Sequence, residues 1–373
     1  MKSFLSAYLQ TFKDIIANSA ILLTIFTSVI IYTFFYPTAY KAQHAESLPI
    51  VIVDEDNSAF TNRMISIVSS SPDLDVKTVT SDFSKAKEMV QNEEAAAIVY
   101  LPYNLTQGIR NQASSGIVIL VSGSYFVQTS TITKGLIATL AGLIEEELKP
   151  YEHIVNYSRD IPIHQIPLFN TQGGYGDYIF PAIAPLIIQQ TLILGIGMLI
   201  IGYRQKKWQP SSVEYLGVFS AFLTIGCSGC LYLFGFAFWL WDYPNGGNFW
   251  GMLLAVPIFV CCIAAASMLI SSFLDLPERI GHIWCFSSVL LFLLTGVSWP
   301  IEAMPVWMQY FTWALPSTHA IRMFLQLNQM GASIEDVMPS LIYLAIFAII
   351  SFIWAYFRLV IKPKPAIDHQ KVK

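Results

Sequence analysis

The stretch LTGVSWPIEAMPVWMQYFTWALPSTHAIR, residues 294–322, interrupts a chain that is otherwise dominated by long apolar runs. Pro300, Pro305 and Pro316 would each break a helix, because proline lacks a backbone N–H and its ring clashes with the preceding turn. The stretch nevertheless stays rich in tryptophan and never becomes fully polar. Such a pattern favours a broken helical segment beside an apolar medium over an ordinary surface loop.

The composition of the chain indicates a membrane protein. Of its 373 residues, 54% are hydrophobic and only 12% are charged. Soluble domains carry a charged fraction of about 25%. The formal net charge of −4 is uninformative by itself, and no Lys/Arg-rich block suggests a nucleic-acid partner.

Six stretches reach the roughly 20 mostly apolar residues that a membrane-spanning helix requires. They lie at about 17–36, 179–202, 214–240, 250–272, 281–299 and 338–360. Pro37 and Tyr40 follow the first stretch where a cleavage site would have small residues, which favours a retained signal anchor. The pattern predicts a polytopic α-helical membrane protein with six transmembrane helices.

The distribution of basic residues predicts the orientation of these helices. Eleven Lys and Arg residues lie in the N-terminal segment, in the loops after the second and fourth stretches, and in the C-terminal tail. The opposite short loops, 241–250 and 300–337, contain Arg322 alone. Because Lys and Arg collect in cytoplasmic loops, both termini are predicted to be cytoplasmic and residues 37–178 to be extracytoplasmic.

Residues 37–178 are predicted to form an extracytoplasmic α/β domain, because short β-rich runs alternate with helical patterns. Strands are expected at 48–53, 74–80, 95–101 and 116–121, the second of them at a sheet edge. Helices are expected at about 58–70, 82–93, 103–114 and 126–148, with Asp82 as the N-cap of the second. The expected domains are 1–36 (cytoplasmic elbow helix and first transmembrane helix), 37–178, 179–361 (five-helix transmembrane region), and 362–373 (cytoplasmic tail).

Motifs that would indicate chemistry are weak in this sequence. The cluster DEDNS, residues 54–58, either binds a cation or forms a turn that caps the next helix, and its spacing fails the EF-hand pattern. Cys227 and Cys230 form a CxxC, but their apolar flanks favour small buried residues of a membrane helix. No nucleophile motif, convincing zinc site or P-loop occurs, so neither enzyme activity nor a metal or cofactor in this chain is expected.

Residues 295–322 resemble the broken helical hairpin of the ABC-2 type transporter permeases, which dips into the outer leaflet. In that family a Gly, a Pro, a Met-Pro and a later Pro-x-Thr follow one another. The matching residues are Gly296, Pro300, Met304, Pro305, Pro316 and Thr318. The segments VIVDEDNS (51–58) and IVYLPYNL (98–105), with one span before the external domain and five after it, resemble the subgroup with a large external domain.

The resemblance implies a permease subunit of an ATP-driven exporter in a bacterial inner membrane. Separate ABC ATPase subunits would hold ATP and Mg²⁺, and a second permease, a copy or a paralogue, would complete the transporter. Membrane lipids surround such a protein, and a periplasmic adaptor is a further expected partner if the cell has an outer membrane. The few charges in the spans favour a hydrophobic or amphipathic substrate, drug or lipid-like. The alternative is a non-transporting membrane scaffold or receptor of an envelope assembly.

The resemblance also assigns roles to particular residues. The segments expected to contact the ATPase are an amphipathic elbow helix (3–16), a loop (203–212) and a second contact (274–279). Their coupling residues would be Phe4, Tyr8, Phe12, Arg204, Lys206, Lys207, Trp208, Asp275, Glu278 and Arg279. On the elbow, Phe4, Tyr8, Leu9, Phe12 and Ile15 or Ile16 are expected on one face. The basic residues of these segments have a simpler explanation, the setting of topology.

The translocation path is expected on the second and fifth spans. Its polar residues would be Gln189, Gln190, Thr191, Ser287, Ser288 and Thr295, for which packing against a neighbouring helix is the competing explanation. An outer hairpin at about 300–335 would form a gate or cap, with Gly296, Pro300, Glu302, Pro305, Pro316, His319 and Arg322. Glu302, His319 and Arg322 either act at membrane depth or simply lie in headgroups and water.

Overall fold

The computed structural model describes residues 3–40, 47–72, 74–92, 94–110, 116–121 and 174–363, together with 132–133, 135–137 and 143. The chain divides into two compact units, residues 1–41 with 167–373 and residues 42–166. Residues 132–133, 135–137 and 143 of the helix expected at 126–148 are described and are helical, whereas the rest of it and most of the C-terminal tail fall outside the described residues.

Two helices open the chain, α1 (Phe4–Ala17) and α2 (Ser19–Ala39). The Ser3 hydroxyl caps α1 by accepting a hydrogen bond from the backbone N–H of Ser6. Asn18 lies between the helices and caps α2 with its side-chain oxygen, as polar N-cap residues do. Helix α1 corresponds to the expected elbow and α2 to the first expected span.

The unit of residues 42–166 contains a four-stranded sheet. Its strands are β1 (Leu48–Asp54), β2 (Leu74–Thr80), β3 (Ala97–Leu101) and β4 (Val118–Val121). The strand order is β2-β1-β3-β4, with β1 parallel to β2 and to β3, and β4 antiparallel to β3. Residues 74–80 therefore form an edge strand, which confirms the expectation from their alternating pattern.

Three helices of this unit have described ranges, α3 (Ala59–Ser69), α4 (Phe83–Gln91) and α5 (Leu105–Arg110). The helical residues Ile132 and Leu136 pack in the same core as β1. Alternate residues of β1 face opposite sides, so Ile50 and Ile52 pack in one core with Met64 of α3, while Val51 packs in another with Ala86 of α4. Asp82 caps α4 by accepting hydrogen bonds from the N–H groups of Ser84 and Lys85, which confirms its assignment as an N-cap. The expected α/β layer is present.

Residues 54–58 form a helix-capping turn. Asp54 accepts hydrogen bonds from the N–H groups of Asp56 and Asn57, and Ser58 forms a capping box with Thr61 at the start of α3. The Asp56 carboxylate accepts hydrogen bonds from the hydroxyl of Thr106 at 2.5 Å and from its N–H at 3.3 Å. Asp54 thus stabilises the turn, and Asp56 links it to the start of α5. The prediction of a turn is confirmed.

The remaining helices belong to the unit of residues 1–41 and 167–373. They are α6 (Tyr175–Gln205), α7 (Ser212–Leu240), α8 (Phe249–Ser271), α9 (Pro277–Leu294), α10 (Val306–Trp313), α11 (Pro316–Phe324) and α12 (Ile334–Ile361). Within the described residues, α2, α6, α7, α8 and α12 are long and apolar enough to cross a membrane. They coincide with five of the six expected spans.

Helix α9 corresponds to the remaining expected span but is shorter than the sequence indicated. It has 18 residues and ends at Leu294, so residues 295–299 of the expected span are not helical. Gly296 adopts a φ of +85°, a left-handed conformation that ends a helix and that favours glycine. The predicted end at residue 299 was wrong, because an apolar composition continues past the last helical turn.

Helix α6 lies at the centre of this unit. It contacts α2, α7, α8, α9 and α11, and 83% of its most apolar 18-residue window is buried by protein. Close approach to α2 depends on Gly195, where an added Cβ would lie 2.3 Å from the Ile25 side chain. Pro181 and Pro185 lie inside α6, where a membrane helix tolerates them if neighbouring helices cover the freed backbone groups.

Helix α1 packs on α7, with its closest approach at Gly217. Its buried residues are Ala7, Thr11 and Ile15, whereas Leu9 and Ile16 are exposed. Phe4, Tyr8 and Phe12 form the expected aromatic row, with ring centroids 6.4 and 5.1 Å apart. The close approach of α1 to Gly217 of α7 thus uses Ala7, while the larger Ile15 and the half-buried Phe12 also pack against protein.

A substitution at Gly217 tests this packing. In Gly217→Ala the new Cβ would lie 2.6 Å from the Phe4 carbonyl oxygen and 2.9 Å from the Ala7 Cβ. Because a backbone atom cannot rotate away, α1 must shift, and we expect a loss of about 1–3 kcal/mol in stability even though alanine is the better helix former. The measurements are the thermal midpoint of the purified protein and hydrogen exchange in α1.

Gly202→Ala is the matched control, since no heavy atom lies within 4 Å of its added Cβ. It should leave both measurements unchanged or slightly raise the midpoint. An equal loss in the two variants would contradict close packing at Gly217.

The turn at Asp56 predicts a pH dependence. Partial burial raises the pKa of the Asp56 carboxyl, but hydrogen bonds from Thr106 and Ser58 outweigh that effect, so the pKa lies below its ordinary value. A lowered pKa stabilises the fold above the unfolded-state pKa of about 3.9 and stops doing so as the pH falls through the folded-state value. We expect Asp56→Asn to weaken hydrogen-exchange protection around Thr106 at neutral pH but not in acid. A difference that persists unchanged in acid would contradict this account.

Candidate functional site

The C-terminal end of α6 is hydrogen-bonded to the segment that follows α8. The Arg204 side chain is buried, and its Nη1 donates hydrogen bonds to the carbonyl oxygens of Ser271, at 2.9 Å, and Leu274. Its Nη2 lies 3.9 Å from Asp275 Oδ1. Residues 203–212 and 274–279, two of the three segments expected to couple to an ATPase, are therefore joined in one body.

The elbow helix α1 joins the same body through Tyr203. The Tyr203 hydroxyl donates a hydrogen bond to Asp14 Oδ2 at 2.6 Å, and its ring lies 5.1 Å from that of Trp208. A second link connects α1 to α7, where the Tyr8 hydroxyl donates to Thr224 Oγ1 at 3.1 Å. All three segments expected to contact an ATPase thus lie together at one end of α6.

The expected coupling residues divide into inward and outward groups. Arg204 is directed into the protein, where it orders the 271–275 backbone, and Asp275 and Trp208 are half-buried. The exposed members are Phe4, Lys206, Lys207, Glu278 and Arg279. The three segments therefore expose side chains of both charges, and their position depends on that of α6.

A cavity of about 410 Å³ lies between α2, α6 and α9. Four tyrosines line it, with a tryptophan and several aliphatic residues of α6; the aromatic members are Tyr32, Tyr36, Tyr40, Tyr175, Trp284 and Phe292. Gln190, Thr191 and Ser288 supply its polar groups. The wall is therefore apolar and aromatic with a narrow polar strip, which is how sites for amphipathic molecules are built.

The polar residues expected on spans two and five separate into two sets. Gln190, Thr191 and Ser288 line the cavity, whereas Gln189, Ser287 and Thr295 do not. Gln190 Nε2 donates a hydrogen bond to Ser287 Oγ at 3.5 Å, so spans two and five do meet at this depth. The Oε1 atoms of both glutamines lack a partner among the described residues, although both side chains are buried.

The tyrosines of the cavity were missed in the sequence. Tyr32, Tyr36 and Tyr40 recur every four residues and therefore lie on one face of α2, with neighbouring rings 5.7 and 6.4 Å apart. Tyr175 at the start of α6 completes the group, 5.2 Å from Tyr40. Their spacing was a usable signal, but an aromatic row at helical spacing is equally typical of packing.

Residues 295–333 form a hairpin of short helices, as the prolines indicated. Gly296 makes the first turn, Pro305 precedes α10, and Pro316 is the first residue of α11. Met304 is buried between them, with its sulfur 3.9 Å from the Thr312 hydroxyl. The loop between α7 and α8 packs on the end of this hairpin, where the Gly246 N–H donates to the Asn328 carbonyl oxygen.

The ionisable residues of the hairpin occupy different surroundings. His319 Nε2 lies 2.9 Å from the Trp313 carbonyl oxygen, and its ring stacks on that of Tyr343 at 3.9 Å. Arg322 is exposed and lies over the Trp313 ring at 5.1 Å, while Glu302 is exposed on the turn before α10. Trp313 thus brings His319 and Arg322 together, and Glu302 has the surroundings of a surface residue.

The CxxC motif lies in a second apolar cavity, of about 430 Å³, formed by α7, α8 and the hairpin. Cys227 is half-buried and Cys230 is fully buried, and both are free thiols. Their surroundings match the expectation of small residues in a membrane helix.

The chain matches the model of the ABC-2 family transporter proteins over residues 19–357. No curated protein matches it significantly. The matched region contains four of the five helices that, within the described residues, could cross a membrane, and most of the fifth, α12, so the chain belongs to this family as a multi-pass membrane permease. Members of the family work with ABC ATPases and normally have no catalytic site of their own.

Proposed function

We propose that the protein is the permease subunit of an ATP-driven exporter in a bacterial inner membrane. The observation that supports this function best is the aromatic cavity between α2, α6 and α9, because it lies on the second and fifth spans, where the family resemblance implies the translocation path. Helix α9 would be the sixth membrane span, with its 18 residues extended by the hairpin. Both termini would then be cytoplasmic and residues 42–166 extracytoplasmic.

The substrate would be hydrophobic or amphipathic. The lining of the cavity is mainly aromatic and aliphatic, and it carries no acidic or basic side chain among the described residues. Gln190 and Ser288 would hydrogen-bond to a polar group of the substrate, since an unpaired buried amide oxygen costs free energy until a donor reaches it. Tyrosine rings offer apolar faces and polar tips to the same molecule.

ATP and Mg²⁺ would be bound by separate ATPase subunits, which would act on the body formed by α1, the 203–212 loop and the 274–279 segment. Tyr203 and Arg204 join these segments to the end of α6, so a force applied there would displace α6 itself. Because α6 also lines the cavity, such a displacement would alter access to the substrate. The resulting cycle would be alternating access between two permease halves, identical or paralogous.

The outer hairpin would close the path on the far side of the membrane. Non-helical backbone survives at membrane depth only when it is buried in protein or lines a wet cavity. In the turn before α10, Met304 is buried while Pro300, Glu302 and Pro305 are exposed, so this backbone would line a wet path or lie at the membrane surface. The domain of residues 42–166 would dock a periplasmic adaptor if the cell has an outer membrane.

Capture from the native membrane tests the proposed partner. The full-length protein purified in mild detergent should retain a P-loop ATPase in stoichiometric amount. Reversing two exposed charges with Glu278→Arg and Arg279→Glu should reduce retention about ten-fold, because like charges across an interface repel. The control Glu302→Arg with Arg322→Glu reverses two exposed charges on the hairpin and should retain the ATPase.

The outcomes of this capture are distinct. Equal loss in both double variants would contradict coupling through the 274–279 segment. If no ATPase is captured, even after crosslinking in intact cells, the protein is a scaffold or receptor rather than a transporter.

A substitution that fills the cavity tests the proposed path. Ser288 lines the cavity, whereas Leu290 of the same helix does not. We expect Ser288→Trp to block export, so that cells accumulate amphipathic dyes such as ethidium to the level of cells without the ATPase subunit. Leu290→Trp adds the same side chain elsewhere on α9 and should export normally. Undiminished export by Ser288→Trp would place the path outside this cavity.

A further inference from the structure

A smaller cavity of about 190 Å³ opens at the end of α6, apart from the one that would hold substrate. Arg204, Lys207 and Arg358 line it, beside the indole of Trp208 and the aliphatic Leu359. Asp275 is the acidic neighbour that the described residues provide, 3.9 Å from Arg204 Nη2. The described lining of the cavity therefore carries three cationic side chains and one apolar wall.

Neighbouring groups hold the two arginines in place. Arg358 Nε donates to Ser272 Oγ at 2.8 Å, and its Nη2 donates to the Ser272 carbonyl oxygen at 3.0 Å. Its guanidinium also stacks on the Phe273 ring at 3.8 Å. Arg204 bonds to the neighbouring carbonyl oxygens of residues 271 and 274. The end of α8 thus holds two like charges beside one cavity, and an anion placed there would be attracted by both.

Lys207 reaches this cavity from a strained position. The Lys207 N–H donates to the Arg204 carbonyl oxygen and the Trp208 N–H to that of Tyr203, which is the Schellman ending of a helix. Glycine is the usual residue at the left-handed position of that motif, yet Lys207 occupies it with a φ of +58°. Lysine disfavours this left-handed conformation, yet Lys207 adopts it and supplies the third positive charge of the cavity.

We propose that this cavity binds the phosphate group of an anionic phospholipid. It lies where two membrane helices end, and basic pockets between such helices bind anionic headgroups. Its volume corresponds to about six water molecules of liquid, enough for a phosphate but not for a loop of another protein. Trp208 and Leu359 would contact the glycerol and upper acyl chain. The phospholipid would lie in the cytoplasmic leaflet, which rests on the orientation given in the proposed function.

The test uses the full-length protein without any ATPase, so it is independent of the capture experiment. The protein is placed in nanodiscs of phosphatidylcholine with increasing phosphatidylglycerol, and the thermal midpoint and the lipids retained in native mass spectrometry are measured. We expect phosphatidylglycerol to raise the midpoint and to remain bound.

The variant Lys207→Asn separates binding from folding. Asparagine adopts the left-handed conformation more readily than lysine, so in pure phosphatidylcholine the variant should be at least as stable as the wild type. Its apparent affinity for phosphatidylglycerol should be about five-fold weaker, the effect of one cation near an anionic lipid. Lys13→Asn removes one exposed cation of α1 that does not line the cavity, and it should bind as the wild type does.

Four results would overturn the proposal. Equal stabilisation by the two lipids would exclude an anionic-lipid site, and equal weakening in both variants would indicate diffuse attraction to the membrane surface. Stabilisation by inorganic phosphate in phosphatidylcholine nanodiscs would assign the cavity to a soluble phosphate compound. Unchanged lipid binding by Lys207→Asn, together with a loss of ATPase capture, would assign it to a carboxylate of the ATPase.

Discussion

The burial of α6 among its neighbours is the constraint on which the rest of the membrane unit depends. In hydrocarbon, polar groups need partners within the protein, so a helix can carry prolines and amides only where other helices cover it. Helix α6 meets that condition along most of its length. It contains Pro181, Pro185, Gln189 and Gln190, and all four are buried by surrounding protein. These residues would be costly in a helix that faced lipid.

The same helix connects the two ends of the proposed mechanism. Gln190 lies beside the aromatic cavity, and Arg204, about four turns further on, holds the 271–275 backbone. Gly195 and Gly197 allow side chains of neighbouring helices to pack closely against the backbone of α6. A well-packed helix moves as a rigid body, so a displacement at the Arg204 end would reach the cavity without a change in helical structure.

Expectations from sequence succeeded where one local property determines the outcome. The membrane spans follow from apolar runs, the turn at Asp54 and Ser58 from capping chemistry, and the edge strand at 74–80 from its alternation. Expectations from sequence failed where the packing of helices determines the structure. Helix α9, for example, stops at Leu294 although apolar residues continue. In a membrane, hydrophobicity no longer distinguishes a protein-facing side chain from a lipid-facing one.

The sequence by itself determined that this is a multi-pass membrane protein with a small α/β domain and a broken hairpin, because span length, strand period and proline position are local properties. Its family resemblance also led to the coupling segments and to Gln190, Thr191 and Ser288. Only the tertiary structure decided which polar residues share a cavity, that four tyrosines line it, and that Arg204, Lys207 and Arg358 surround another. Those groupings join residues up to about 260 positions apart, and no local pattern encodes which helices will meet.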